Sequence, residues 1–191
     1  MSRCGTIRGF NAGYGAGVYM GNGTFNMTGG AIRNCSATGG KADGGGVYVS
    51  GGSFKMTKGT ISACKAANAG GGVYVSSGSF EMSGGSIEDC TAHEGAGVKV
   101  YASSGKTASF SMSDSGKIKN CNTDGVSIYT IGGTSEFTMT GGTIEDNGGY
   151  GVWVDNGSAV MSGGSVKGSG SYDIYIGSRA TLTVNNTQVG G

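Results

Sequence analysis

The chain is written as copies of one short passage. Residues 70–90, GGGVYVSSGSFEMSGGSIEDC, run Gly-Val-x-Val, then Phe-x-Met, then Ile-x-x-Cys, and the same order of segments recurs from end to end. A repeat this short cannot bury its own apolar side, so successive copies must stack on one another. The first segment recurs at Val18, Val47, Val73, Val98, Val126, Val152 and Ile174, a period that drifts between 22 and 29 residues. The second reads Phe25-x-Met27, Phe54-x-Met56, Phe80-x-Met82, Phe110-x-Met112 and Phe137-x-Met139, with weaker copies at Ala159-x-Met161 and Leu182-x-Val184. The third begins at Ile7, Ile32, Ile61, Ile87, Ile118, Ile144, Val166 and Val189.

Within each segment apolar and polar residues alternate, the two-residue period of a strand with one buried face. Glycine is abundant, at 43 of 191 residues, and proline is absent. Without a period that much glycine would indicate disorder; with one, it marks the turns between strands, where a positive φ carries no Cβ penalty. The pattern therefore predicts an all-β fold: a single right-handed parallel β-helix, or β-solenoid, of about seven coils with three short strands each. The hand follows because parallel crossovers are almost always right-handed. Residues 1–191 read as one β-helix domain, either a piece of a longer solenoid or an uncapped subunit that stacks on itself, since strand patterns run up to both ends.

Val and Ile should line the first face, Phe over Met the second, and Ile the third. Two residues after each third-strand Ile stands a polar or small residue, where the strand should stop. One further on, Cys35, Cys64, Cys90, Cys121 and Asn147 should turn inward as a corner column. In-register stacking at about 4.8 Å exceeds the usual Cβ separation of a disulfide. The cysteines are therefore expected as a structural column of buried, reduced thiols, with Cys4 off the column and exposed. Outside, Glu88, Lys119, Glu145 and Lys167 fall one above another with alternating sign, and Lys55 falls beside Glu81. Opposed charges of opposite sign are favourable across strands, which supports the alignment.

Length variation is confined to corners. The link from third to first strand is long at residues 36–46 and shrinks to residues 147–151, while the link from first to second strand expands at residues 101–109 and 129–136. Function is to be sought there, because insertions in solenoids form loops.

Ile32-Arg33-Asn34-Cys35-Ser36-Ala37 followed by Gly44-Gly45-Gly46-Val47-Tyr48 resembles the F-x-x-N-x-A…G-G-A-I-Y logic of polymorphic-outer-membrane-protein repeats. The Ser/Thr-Gly-Gly-Thr/Ser-Ile stretches are similar to glycine-rich β-helix repeats of large bacterial surface proteins. Four coils depart from that pattern, carrying Cys at the corner where those repeats favour Asn. The resemblance implies an adhesin-like stalk or structural scaffold, extracellular or at the cell surface. Its implied partners are host or extracellular glycans and proteins.

No catalytic, cofactor or metal site is expected, and the reading is of a non-enzymatic protein. Glu88-Asp89 and Glu145-Asp146 lie two coils apart, near the carboxylate spacing of inverting glycosidases, but Lys119 stands between the glutamates. His93, the single histidine, has no nucleophile pattern around it. Tyr19, Tyr48, Tyr74, Trp153 and Tyr175 form an interrupted outward column and are the candidate ligand-facing aromatics, which makes carbohydrate binding, or polysaccharide degradation, the alternative function. Hydroxyls on the second strand (Thr24, Ser53, Ser79, Ser109, Thr138 and others) raise ice binding, but Lys55, Glu81 and Glu136 break that lattice. The net charge of +1, without a basic patch, gives no footing for nucleic acid, and no apolar run is long enough to span a bilayer. The first residues lack an apolar export-signal core. Self-association end to end into filaments is the remaining expectation, from the unblunted strand edges.

Overall fold

The computed structural model describes residues 5–190; Cys4 lies outside them. The seven first-face strands, among them Val18–Met20, Val47–Val49, Val73–Val75 and Val98–Ala102, pair in parallel with the next copy along the chain. The second-face and third-face strands do the same, so Phe80 sits between Phe54 and Phe110, and Ile87 between Ile61 and Ile118. Every register inferred from the sequence for these columns holds. The chain is a parallel β-solenoid of about seven coils.

Its interior is one continuous column of side chains. Phe25, Phe54, Phe80, Phe110 and Phe137 stack with centroids 4.6–5.2 Å apart and planes within 19°. The ring separation is set by the strand spacing itself, so the ladder hydrogen bonds and the aromatic contacts reinforce one another. The coil is thin. At Gly72 a Cβ would meet Gly97 O at 2.6 Å and the Ile87 Cγ2 methyl at 2.6 Å, so the residue before the first-strand Val is glycine because the third-strand isoleucine presses on its backbone.

The third strand stops for a reason the residue types only hint at. Asn34, Ala63, Asp89, Asn120, Asp146 and Gly168 all take a positive φ, between 49° and 67°. That left-handed residue turns the chain inward, and the next side chain enters the core. Cys35, Cys64, Cys90 and Cys121 are buried free thiols. Each donates to the carbonyl two residues earlier, at 3.3–3.5 Å, on the last strand residue before the corner. Burial pushes the Cys35 thiol up, and for Cys64 the neighbouring Cys90 thiol adds to burial and pushes it well above the ordinary range. Asn147 occupies the same column and accepts the Cys121 N–H through Oδ1 at 3.1 Å, while its Nδ2 has no partner.

Two details depart from the simple three-strand reading. The early third-to-first link is not a free loop: Asn11–Ala12, Ser36–Ala37 and Lys65–Ala66 form a small parallel sheet of their own, continued by a bridge from Lys65 to Thr91. Ala37, Ala66 and Ala92 point inward there and are buried. The second departure concerns Lys119, which pairs with Glu88 at 3.6 Å and not with both glutamates; Glu145 is held by Lys167 at 3.7 Å.

Candidate functional site: the tyrosine face

All nine tyrosines and the only tryptophan lie on or beside the outer side of the first-face strands. The position after the leading Val or Ile carries Tyr19, Tyr48, Tyr74, Lys99, Ser127, Trp153 and Tyr175 in successive coils. Tyr19, Tyr48 and Tyr74 stack at 5.4 and 5.1 Å with planes within 8°. Tyr14 packs edge-on to Tyr48 at 5.4 Å, and Tyr150 touches Trp153, Tyr172 and Tyr175 at the other end.

The expanded corners at residues 101–109 and 129–136 feed this face. The extra length prolongs the first strand to Val98–Ala102 and Val126–Thr130, and the added residues Tyr101 and Tyr129 stand above it as a rim, their rings 6.0 Å apart. The opposite rim comes from the third-to-first link, with Tyr14, Asp43, Ala69 and Glu94 aligned by bridges between coils. Between the rims runs a channel of about 620 Å³, and a second of about 440 Å³ flanks the tyrosine ladder on its serine side, at Ser50, Ser76, Ser77 and Ser103.

The aromatic column is interrupted at its middle, and the interruption is the most enclosed part of the face. Lys99 is 3% exposed. Its ammonium donates to Glu94 Oε2 at 2.8 Å and Ser127 Oγ at 2.9 Å, and sits 5.3 Å from the Trp153 ring centroid and 5.7 Å from that of Tyr129. One carboxylate, one hydroxyl and two ring faces together replace the water the ammonium has lost, which keeps a buried cation tolerable. Lysine and serine thus bridge the gap between the two aromatic runs.

Two buried carboxylates anchor the link that forms the rim. Asp43 Oδ1 accepts from Asn68 Nδ2 at 2.8 Å and from Ala69 N at 3.1 Å. Asp124 accepts from Gly95 N and Tyr150 N, tying the coil on either side. Burial pushes both carboxyl groups up, against the lowering effect of those donors. Burial, and after it the Asp43 charge, pushes the Tyr74 hydroxyl up as well.

Of the five aromatics picked out by sequence, Tyr19 and Tyr175 are exposed and Tyr48 and Trp153 half-buried, whereas Tyr74 is 7% exposed and forms the floor between the rims. The structure brings to them Lys99, Asp43, Glu94, Tyr101, Tyr129 and Tyr150, which the column reading passed over. Restriction of tyrosine to one face was the available signal. Glu88 and Glu145 lie on the third-face strands outside this site, and His93 borders a shallow depression with Lys65 and Asn122. The hydroxyl-rich second face is crossed by the Lys55–Glu81 ion pair at 3.1 Å. Among the described residues no cluster of His, Cys, Asp and Glu is placed to hold a metal ion.

A family model described as the right-handed beta helix region matches residues 16–189. The chain belongs to the right-handed β-helix family. The hand expected from the crossover rule is the hand of this family. No curated protein and no solved structure matched the chain. The tyrosine face of this β-helix therefore has to be read from its own chemistry.

Proposed function

We propose that this right-handed β-helix is a non-enzymatic, extracellular or surface-displayed scaffold that acts in an adhesin-like way, presenting its tyrosine face to carbohydrate. One observation carries the reading: every tyrosine and the tryptophan gather along one channel-bearing face, leaving the other outer faces to hydroxyls and ion pairs. Aromatic edges and phenol hydroxyls combine apolar surface with polar reach, the mixture that suits sugars. The non-enzymatic part is supported by how the charges are used. Glu94 holds Lys99, Asp43 holds the link at Asn68 and Ala69, and Asp124 holds two coils together. Each of these three carboxylates has a structural partner, whereas acid-base chemistry needs one free to meet a reacting atom.

A glycan array combined with a reducing-end assay tests both halves. The expected result is binding of at least one glycan class with no new reducing ends, and loss of binding in Tyr48→Ala. Asp43 favours a second reading, because a buried carboxyl pushed up in a channel is what a general acid requires. Depolymerisation that disappears in Asp43→Asn would establish that reading and overturn the first.

A further inference from the structure

We propose that the channel takes a linear, uncharged glycan joined by equatorial β-1,4 links, laid parallel to the helix axis with one sugar per coil. The inference rests on the carbohydrate reading above and adds the shape, charge and direction of the ligand.

The stride of the face selects the shape. Tyr19, Tyr48 and Tyr74 repeat at 5.4 and 5.1 Å along the axis, and their rings lie against one another. Stacked in this way, they turn edges and hydroxyls to the channel and keep their faces for each other. The face is thus a ladder of phenol edges, one per coil from Tyr19 to Tyr74 and more enclosed toward Tyr74, not a flat platform for a single ring. A pyranose chain with equatorial β-1,4 links is straight and advances by nearly one coil per sugar, each sugar turned over relative to the last, so every coil meets one sugar and alternate sugars present the same edge. Its hydroxyls project from the chain edges, where phenol, serine and amide groups can reach them: Tyr48, Asn68 and Tyr74 on the channel side, Ser50 and Ser76 on the other. An axially linked chain coils away from the line. An extended peptide advances about 3.3 Å per residue, so neither one residue nor two match a single coil.

The ionic groups select the charge. The channel is lined by two lysines, Lys41 and Lys99, and two carboxylates, Asp43 and Glu94. Lys99 is the one buried cation among the described residues, and it is already neutralised by Glu94 at 2.8 Å. In the channel an anionic polymer would meet as many carboxylates as cations, with Lys106 the one further cation on the serine side, and it could engage Lys99 only in competition with Glu94. A neutral polymer leaves that pair intact.

Calorimetric titration of the whole chain with glucose and N-acetylglucosamine oligomers, β-1,4-linked and running from dimer to heptamer, tests the proposal. Affinity should climb with each added sugar until the channel is filled and then level off, with little change between low and high salt. Tyr48→Phe, which removes a single hydroxyl from a half-buried ring, should weaken binding by about threefold to tenfold with an unchanged melting temperature. Equal or tighter binding of α-1,4-linked or uronate oligomers overturns the inference while leaving the carbohydrate reading in place. So does a steep salt dependence, or affinity indifferent to chain length. Failure of every glycan class to bind overturns the reading beneath it.

Discussion

Ala63 occupies the one corner where the column of left-handed residues holds a side chain unsuited to it. Asn34, Asp89, Asn120 and Asp146 sit at φ of 53–55°, and Gly168 at 67°, whereas Ala63 is held at 49° with no side-chain polar group to help. An L-residue in that region costs roughly 1–2 kcal/mol, a penalty that asparagine and aspartate reduce by local hydrogen bonding. Ala63 is exposed, so a longer side chain has room in solvent. Ala63→Asn should therefore stabilise the solenoid by about 1 kcal/mol, which for a chain of this size raises the melting temperature by about 2–4 °C. Ala63→Gly relieves the same strain but loosens the unfolded chain by roughly 0.5–1 kcal/mol, so it should come out near neutral. Ala63→Val adds a β-branch at positive φ and should destabilise. Urea and thermal unfolding of the three variants, with an unchanged denaturant slope, give the ranking Asn above Gly above Val. Valine as stable as the parent, or asparagine less stable, would refute a left-handed corner at this position.

Three further expectations come from the core and from the rim. Ile118→Ala removes a fully buried third-face side chain and should cost about 2–5 kcal/mol; Cys121→Ala, a smaller change in the same coil, should cost about 1 kcal/mol. Cys35, Cys64, Cys90 and Cys121 should react with a thiol reagent only on unfolding and show no mutual disulfides by non-reducing mass spectrometry; fast labelling of the folded chain would contradict their burial. Asp43 is raised above its ordinary carboxyl value in the folded state, so the folded chain holds that proton more tightly than the unfolded one. Its contribution is most favourable below pH ~4 and is lost as pH rises through the raised value. Asp43→Asn keeps an Oδ1 acceptor for Asn68 and Ala69, so it should be more stable than the parent at neutral pH. Unfolding curves at neutral and mildly acidic pH should show that advantage vanishing near pH ~4, and an advantage independent of pH would assign it to something other than the charge.

The repeat made the solenoid legible without coordinates. Once Val, Phe-x-Met and Ile-x-x-Cys recur at a nearly fixed spacing, stacking like on like is the one arrangement that buries all three. The pairings of Phe80 with Phe54 and Phe110 and of Glu88 with Lys119 follow directly. Periodicity along the chain is a local property, and in a fold where each coil touches only its neighbours, local order becomes global order. The tyrosine face escaped the column reading because its chemistry crosses columns. Lys99 counted as an interruption while the residues it touches were unknown, and Tyr101 and Tyr129 belonged to insertions with no repeat partner to align against. Only the closed coil brings the rim at Asp43 and Glu94 opposite the rim at Tyr101 and Tyr129. Only that enclosure turns an exposed lysine position into a buried ammonium held by Glu94, Ser127 and two aromatic rings. Burial depends on what stands across the channel, and how far corners of unequal length lean over a strand is set by three-dimensional packing.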